Sequence, residues 1–196
     1  MISPKQALLK RSFDLMLALA LLPLLGIPII LLFLMASIDT GANGLFLQER
    51  IGQYGERFKI YKIRTLKEGV HRLGHMDYYA SAFGKFLRAS KFDELPQLFN
   101  VLKGDMSFVG PRPDLPGFAD ALQGDDRIIL EVKPGITGPA TLKYKDEELI
   151  LSKQMDPESY NRTIIWKDKV EINKRYVKNY SFSLDLHFLL KSLKNS

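Results

Sequence analysis

Residues 15–38 read LMLALALLPLLGIPIILLFLMASI, 24 residues without a charge. About 20 helical residues, at a rise of ~1.5 Å each, cross a hydrocarbon layer of ~30 Å, so an uncharged apolar run of this length is a membrane segment. A cleaved signal peptide also starts with basic residues, and Lys5, Lys10 and Arg11 precede the run. The run exceeds the roughly 7–15-residue core of such a peptide, and no clear small-x-small cleavage site follows it. Pro23 and Pro28 flank Gly26 near its centre. Each proline removes an N–H donor and collides with the carbonyl four residues back, which predicts a break there. Lysines and arginines lie on both sides of the run and favour the cytoplasmic face. The expected arrangement is therefore a re-entrant helix-break-helix over residues 1–38, which enters the bilayer, turns at Pro23–Pro28 and returns; a kinked spanning helix is the alternative.

Residues 39–196 carry no repeats or low-complexity stretches and are expected to form one cytoplasmic catalytic domain. The chain has 28 Lys and Arg against 22 Asp and Glu, a net charge of +6. Such an excess suits an anionic membrane surface, phosphorylated substrates or nucleic acid. Because the basic residues are interleaved with acidic ones and no nucleic-acid-binding module is present, no nucleic-acid partner is expected. Cysteine is absent, which excludes disulfides and thiolate metal sites.

The fold class expected is α/β, a mixed, helix-rich domain with amphipathic helices at the membrane interface. LFLQERIG and RFKIYKIRTL, around turns containing Gly52 and Gly55, read as short strands. In the second, Phe58, Ile60, Lys62 and Arg64 share one face. Residues 67–80 read as a polar loop and Ala80–Ala89 as a helix. In SKFDELPQLFNVLKGDMSF, Asp93 is the expected N-cap, Pro96 falls in the first turn and Gly104 stops the helix. Residues 158–179 are expected to be helical. The tail SFSLDLHFLLKSLKNS places Phe182, Leu186, Leu189 and Leu193 on one face, suited either to packing on the domain or to the membrane interface.

Asp93 and Glu94 are the central candidate pair. Acids in the first turn of a helix can serve only its dipole. Here they are preceded by Arg88 and Lys91 and followed by GDMSFVGPRPD, in which Arg112 stands between two prolines. Fixed φ on both sides restrains that guanidinium, which suits bidentate phosphate binding. Asp105 and Asp114 are further candidate acids of the site; Asp105, in a turn after Gly104, reads as structural. His71, His75 and His187 form no metal-ligand pattern.

FLQERIGQYGERFKIYKIRTL, FGKFLRASKFDELPQLFNVLKGDMSFVGPRP and KPGITG resemble the bacterial sugar transferase family, the monotopic phosphoglycosyl transferases in their small form. The resemblance is strong over residues 8–145 and looser over NYSFSLDLHFLLKSL. It implies transfer of a sugar-1-phosphate from a UDP-sugar to undecaprenyl phosphate in the bacterial inner membrane, at the cytoplasmic face. By resemblance Asp93 is the nucleophile that forms an aspartyl-phosphosugar and releases UMP, with Glu94 assisting. Mg²⁺ is expected at Asp93, where it offsets the repulsion between a carboxylate and a pyrophosphate. Arg112 is expected to clamp phosphate, with Lys62, Arg64 and Arg88 as supporting cations. A pyrophosphohydrolase using the same dyad on water, and a non-catalytic membrane anchor, are the rival functions. Lys133 and Thr141 stand where the family pattern carries Arg and Gln. These departures bear on nucleotide-sugar recognition, not on the dyad. The sugar and the oligomeric state are not encoded in any motif.

Overall fold

The structure, a computed structural model, describes residues 2–69 and 71–194. Asn195 and Ser196, which close the amphipathic tail, lie outside the described residues, as do Met1 and Val70.

Helix α1 covers Pro4–Thr40. Its start is a capping box: the Ser3 hydroxyl accepts from Gln6 N (3.3 Å) and the Gln6 side chain accepts from Ser3 N (2.9 Å). Gly41, with φ 67°, ends it. The expected interruption at Pro23–Pro28 is not a change of secondary structure, since both prolines lie inside one helix. A proline costs its own helical hydrogen bond while its neighbours keep theirs, so the helix continues past it. The helix also runs two residues beyond the expected boundary at 38. It is long and apolar enough to cross a membrane, and only 11% of its most apolar window is buried. Leu24, Ile27 and Ile30 are 60–69% exposed.

Both ends of α1 are tied to the rest of the chain. Near the start, Arg11 donates to the carbonyls of Val101 (2.6 Å) and Leu102 (2.9 Å), and the Asp14 carboxylate accepts from Phe108 N and Ser107 Oγ, both at 3.1 Å. Near the end, Ser81 Oγ donates to Asp39 (2.6 Å), and Ala36 packs with Ile63 and Leu87.

Strands β1 (Leu45–Ile51) and β2 (Arg57–Ile63) pair antiparallel from Leu45↔Ile63 to Ile51↔Arg57, as the alternating pattern predicts. Helix α2 (Ala82–Ser90) starts at a Ser81 cap and is followed by α3 (Gln97–Lys103), stopped by Gly104 at φ 91°. Strands β3 (Ser107–Val109) and β4 (Gly135–Thr137) form a second, parallel pair. Short helices α4 (Pro139–Lys143), α5 (Glu147–Ser152) and α6 (Pro157–Tyr160) lead, through a π-helical turn, to α7 (Trp166–Lys178) and α8 (Phe182–Lys194). The architecture is helix-rich with two small sheets among the described residues, and the α/β expectation holds in that coarse sense.

The main core joins Ala18 of α1, Ile60 of β2, Leu98 and Val101 of α3, Phe108 of β3 and Val177 of α7. Apolar burial at roughly 25 cal/mol per Å² drives this assembly. Beside it lies a buried polar knot: Asp185 of α8 accepts from Tyr176 (2.6 Å), Tyr180 (3.1 Å) and Lys10 (2.5 Å), and Lys10 also donates to Val109 O (2.8 Å). The knot decides how α8 lies. Leu184, Phe188 and Leu189 turn to the core, whereas Leu186, Leu190 and Leu193 face outward. The expected stripe of Phe182, Leu186, Leu189 and Leu193 is therefore split, because Asp185 has to reach Lys10 and the two tyrosines.

Candidate active site

Lys91, a non-glycine residue at φ 59°, ends α2 and turns the chain into a 3₁₀ turn over Phe92–Glu94. Its bonds, Glu94 N to Lys91 O (3.1 Å) and Leu95 N to Phe92 O (3.3 Å), use the local backbone groups. Pro96, not Asp93, occupies the N-cap of α3. Freed from capping, the Asp93 side chain turns inward and is buried, and its Oδ1 has no hydrogen-bond partner among the described residues.

Glu94 lies differently. Its Oε1 accepts from Lys62 Nζ of β2 at 3.0 Å, and its two oxygens take the two terminal nitrogens of Arg112. The carboxylate is nearly buried and the Lys62 side chain only 16% exposed, whereas Arg112 keeps 34% of its side chain in solvent. Burial alone would raise the Glu94 pKa, but the Arg112 and Lys62 charges outweigh it and hold the carboxyl well below the ordinary range. Asp93 has no such pair at bonding distance: burial raises its pKa, with Lys62 opposing. Burial lowers that of Lys62, against the pull of Glu94. Two adjacent acids thus differ in kind. Glu94 is a neutralised structural anion, and Asp93 carries an uncommitted oxygen.

Arg112 is delivered by the loop after β3, and glycines let that loop lie against KPGITG. A Cβ on Gly138 would sit 2.2 Å from Gly110 O, and one on Gly110 would sit 2.4 Å from Lys133 O. This contact allows Gly110 N to bond Thr137 O (2.9 Å) and Gly135 N to bond Pro111 O (2.8 Å). KPGITG is in this sense the bed on which the Arg112 loop rests.

Of the predicted supporting cations, Lys62 meets the dyad directly. Arg64, expected beside it, instead donates to Asn43 O (2.6 Å) and lies over the Phe46 ring. The turn after α1 offers a nearer acceptor than the dyad does. Arg88 stands 3.9 Å from Glu148, at the start of α5. Sequence reasoning missed two neighbours, Arg50 and Glu147, and named a third, Asp114, without giving it a role. Arg50 donates to Pro113 O (3.2 Å), and burial lowers its pKa to about 10. Asp114 is pushed up to about 6 by burial, opposed by Lys169 and Arg50. Glu147 pairs with Lys169 at 2.6 Å. An arginine in an otherwise amphipathic strand was the one available signal for Arg50.

Among the described residues no three His, Cys, Asp or Glu side chains converge as a metal cluster. Mg²⁺, however, takes one or two carboxylates and completes its shell with water and substrate phosphate. The unpartnered Asp93 Oδ1 fits that role, and Glu94, held by two cations, does not.

The chain matches the family model described as bacterial sugar transferase over residues 5–196. It is 34% identical over 190 residues to the uncharacterized sugar transferase EpsL of Bacillus subtilis, covering 95% of this chain and 86% of that one. It is 30% identical to a UDP-N-acetylgalactosamine-undecaprenyl-phosphate N-acetylgalactosaminephosphotransferase of Aeromonas hydrophila, covering 98% of this chain. It is also 30% identical to an undecaprenyl-phosphate galactose phosphotransferase of Salmonella typhimurium, covering 95% of this chain. The chain spans 44% and 40% of these last two proteins, less than half of each. By a match that runs through membrane helix, dyad and C-terminal helix, the chain belongs to the bacterial sugar transferase family.

Proposed function

We propose that the chain transfers a sugar-1-phosphate from a UDP-sugar to undecaprenyl phosphate, as the first membrane step of glycoconjugate biosynthesis. The observation that carries this reading is the inequality of the two acids. Asp93 has an oxygen free to attack, and Glu94 is held by Lys62 and Arg112. In the first step Asp93 Oδ1 bonds to the β-phosphorus and the bond to the bridging oxygen breaks. UMP departs with the electron pair. In the second, an oxygen of undecaprenyl phosphate bonds to the same phosphorus and the carboxylate leaves, giving the undecaprenyl diphosphosugar. Splitting one displacement into two through an enzyme carboxylate is covalent catalysis.

Charge accounting supports the roles of the neighbours. Asp93 and Glu94 balance Lys62 and Arg112, so the four side chains together are neutral. A pyrophosphate therefore brings negative charge that these residues do not already match. Asp93 would hold Mg²⁺, which would supply positive charge opposite the phosphate oxygens. Glu94, itself held by Lys62, holds Arg112 in place, and the exposed third of Arg112 offers the remaining N–H donors to the donor phosphates. Burial of Asp93 removes water from its carboxylate, which strengthens it as a nucleophile once ionised. Protonation disables it, so the rate falls on the acid side at a pH above the ordinary aspartate range.

The two anchor points of α1 favour the re-entrant arrangement. Lys10 and Asp39 would stand about 43 Å apart on a straight helix, more than the ~30 Å of hydrocarbon. A crossing helix would send them to opposite faces, yet both ends are bonded to one domain. Re-entry keeps that domain at the cytoplasmic face of the inner membrane, where the lipid phosphate, confined to the bilayer, meets Asp93.

The test is release of UMP from a panel of UDP-sugars with undecaprenyl phosphate, alongside detection of the lipid product. Transfer that disappears in Asp93→Asn supports the reading. Free sugar-1-phosphate without lipid product would indicate a pyrophosphohydrolase, and unchanged function in Asp93→Asn would indicate a non-catalytic anchor.

A further inference from the structure

Gln97 is buried to 1% exposure, and neither its side-chain oxygen nor its nitrogen has a hydrogen-bond partner among the described residues. A buried primary amide can make up to four hydrogen bonds, and one that makes none needs an explanation. The next polar residue on the same helix shows what satisfaction looks like. Asn100 accepts from Tyr61 N (3.0 Å) and donates to Lys59 O (2.8 Å) and Asp105 (3.2 Å).

Gln97 follows Asp93 by four residues, and the path between them is helical: a 3₁₀ turn, then αR at Leu95 and Pro96, then α3. At that spacing side chains are neighbours on one face, with Cβ atoms roughly 5–6 Å apart. Asp93, Gln97 and Asn100 form the buried polar stripe of this face, and Asn100 fixes it against β2, the strand that carries Lys62. Two unpartnered oxygens, Asp93 Oδ1 and Gln97 Oε1, thus belong to buried side chains about one helical turn apart.

We infer that the Gln97 side-chain carbonyl is a second protein oxygen for the divalent cation at Asp93. The inference rests on the cation reading above and extends it. With no third carboxylate or histidine converging there among the described residues, further protein ligands must come from neutral groups. An amide oxygen is a hard ligand of the right kind for such an ion. It adds no negative charge next to a carboxylate that must meet a pyrophosphate, which a third acid would do. The amide nitrogen, also unpartnered, remains a donor for a cation-bound water or a phosphate oxygen.

Mn²⁺ binding, followed by electron paramagnetic resonance on the full detergent-solubilised chain without substrate, tests this with a readout independent of turnover. Wild type is expected to bind Mn²⁺ and Asp93→Asn to lose it. Gln97→Leu is expected to weaken binding about 10–100-fold, and Gln97→Glu to bind at least as tightly as wild type. If wild type binds none, or Asp93→Asn binds like wild type, the cation reading itself fails. If Asp93→Asn loses Mn²⁺ while Gln97→Leu retains wild-type affinity, the cation stands and the Gln97 assignment is overturned. Melting curves check that the variants fold; should Gln97→Leu not fold, weaker Mn²⁺ binding by Gln97→Glu overturns the assignment.

Discussion

Glu94→Gln separates the two acids of the dyad by stability as well as by activity. The Glu94 carboxylate holds Lys62 Nζ at 3.0 Å and both terminal nitrogens of Arg112 in a nearly buried position. Removing one partner of a buried ion pair typically costs about 3–5 kcal/mol, because the other partner is left unpaired. Arg112 is one-third exposed and recovers part of its solvation, which places the expected loss near 3 kcal/mol. For a chain of this size 1 kcal/mol moves Tm by about 2–4 °C, so Glu94→Gln melts roughly 6–12 °C below wild type.

Asp93→Asn behaves in the opposite way. Asp93 Oδ1 has no partner to lose, and its carboxylate is destabilised by burial. Replacing the charge by an amide relieves that desolvation, so Asp93→Asn melts at or slightly above wild type while losing transfer activity. The pH dependence follows from the signs of the shifts. A depressed pKa at Glu94 means its contribution is present above the unfolded value near 4.5 and is lost as pH falls. The gap between wild type and Glu94→Gln should therefore narrow below about pH 4.5. A raised pKa at Asp93 means the opposite, so the gain in Asp93→Asn should appear at neutral pH and vanish in acid. Thermal melting in detergent at pH 4 and pH 7.5, with UMP release on the same samples, measures both. Equal melting of Glu94→Gln and wild type, or an Asp93→Asn protein as unstable as Glu94→Gln, would refute the assignment of structural and reactive acid.

Three further outcomes are expected. Asp185→Asn strands Lys10 in the interior beside Tyr176 and Tyr180, and should cost about 3 kcal/mol in denaturant melts; a loss below ~1 kcal/mol would mean the knot does not hold α1 to α8. Gly138→Ala places a Cβ 2.2 Å from Gly110 O at an extended φ, so the cost is collision and not torsion; unchanged melting and activity would contradict the packing of the Arg112 loop on KPGITG. Arg64→Ala should leave UMP release within about threefold of wild type because its guanidinium serves Asn43 O, while Lys62→Met should lower it by ~100-fold or more; equal losses would return Arg64 to the dyad.

The comparison of Lys62 with Arg64 shows where sequence ends as a guide. Strand alternation assigns both to one face, and nothing local distinguishes them, although β2 ends at Ile63, one residue before Arg64. What separates them is 19 residues upstream of Lys62, where Asn43 in the turn after α1 presents a carbonyl to Arg64. The long apolar helix, the β1–β2 pair and the Asp-Glu adjacency were legible because each depends on composition or spacing within one short stretch. Pairing Glu94 with Lys62 and Arg112 joins three segments spread over 51 residues, and only the folded chain brings them to bonding distance. The same limit split the expected stripe on α8: its four apolar positions satisfy helical spacing, but Asp185 is bonded to Lys10 at the far end of the chain and rotates the helix to suit. In both places a buried charge, not the apolar pattern, sets orientation. The apolar loss is small because Leu184 and Phe188 turn inward where Leu186 and Leu193 turn out, whereas an unpaired buried charge costs about 3–5 kcal/mol. The partner of a charged residue is then the least local fact about it. Gln97 extends the reasoning to a group whose partner is not a residue of the chain: its burial and lack of a hydrogen bond identify it, and neither property is visible in the letters PQLFN.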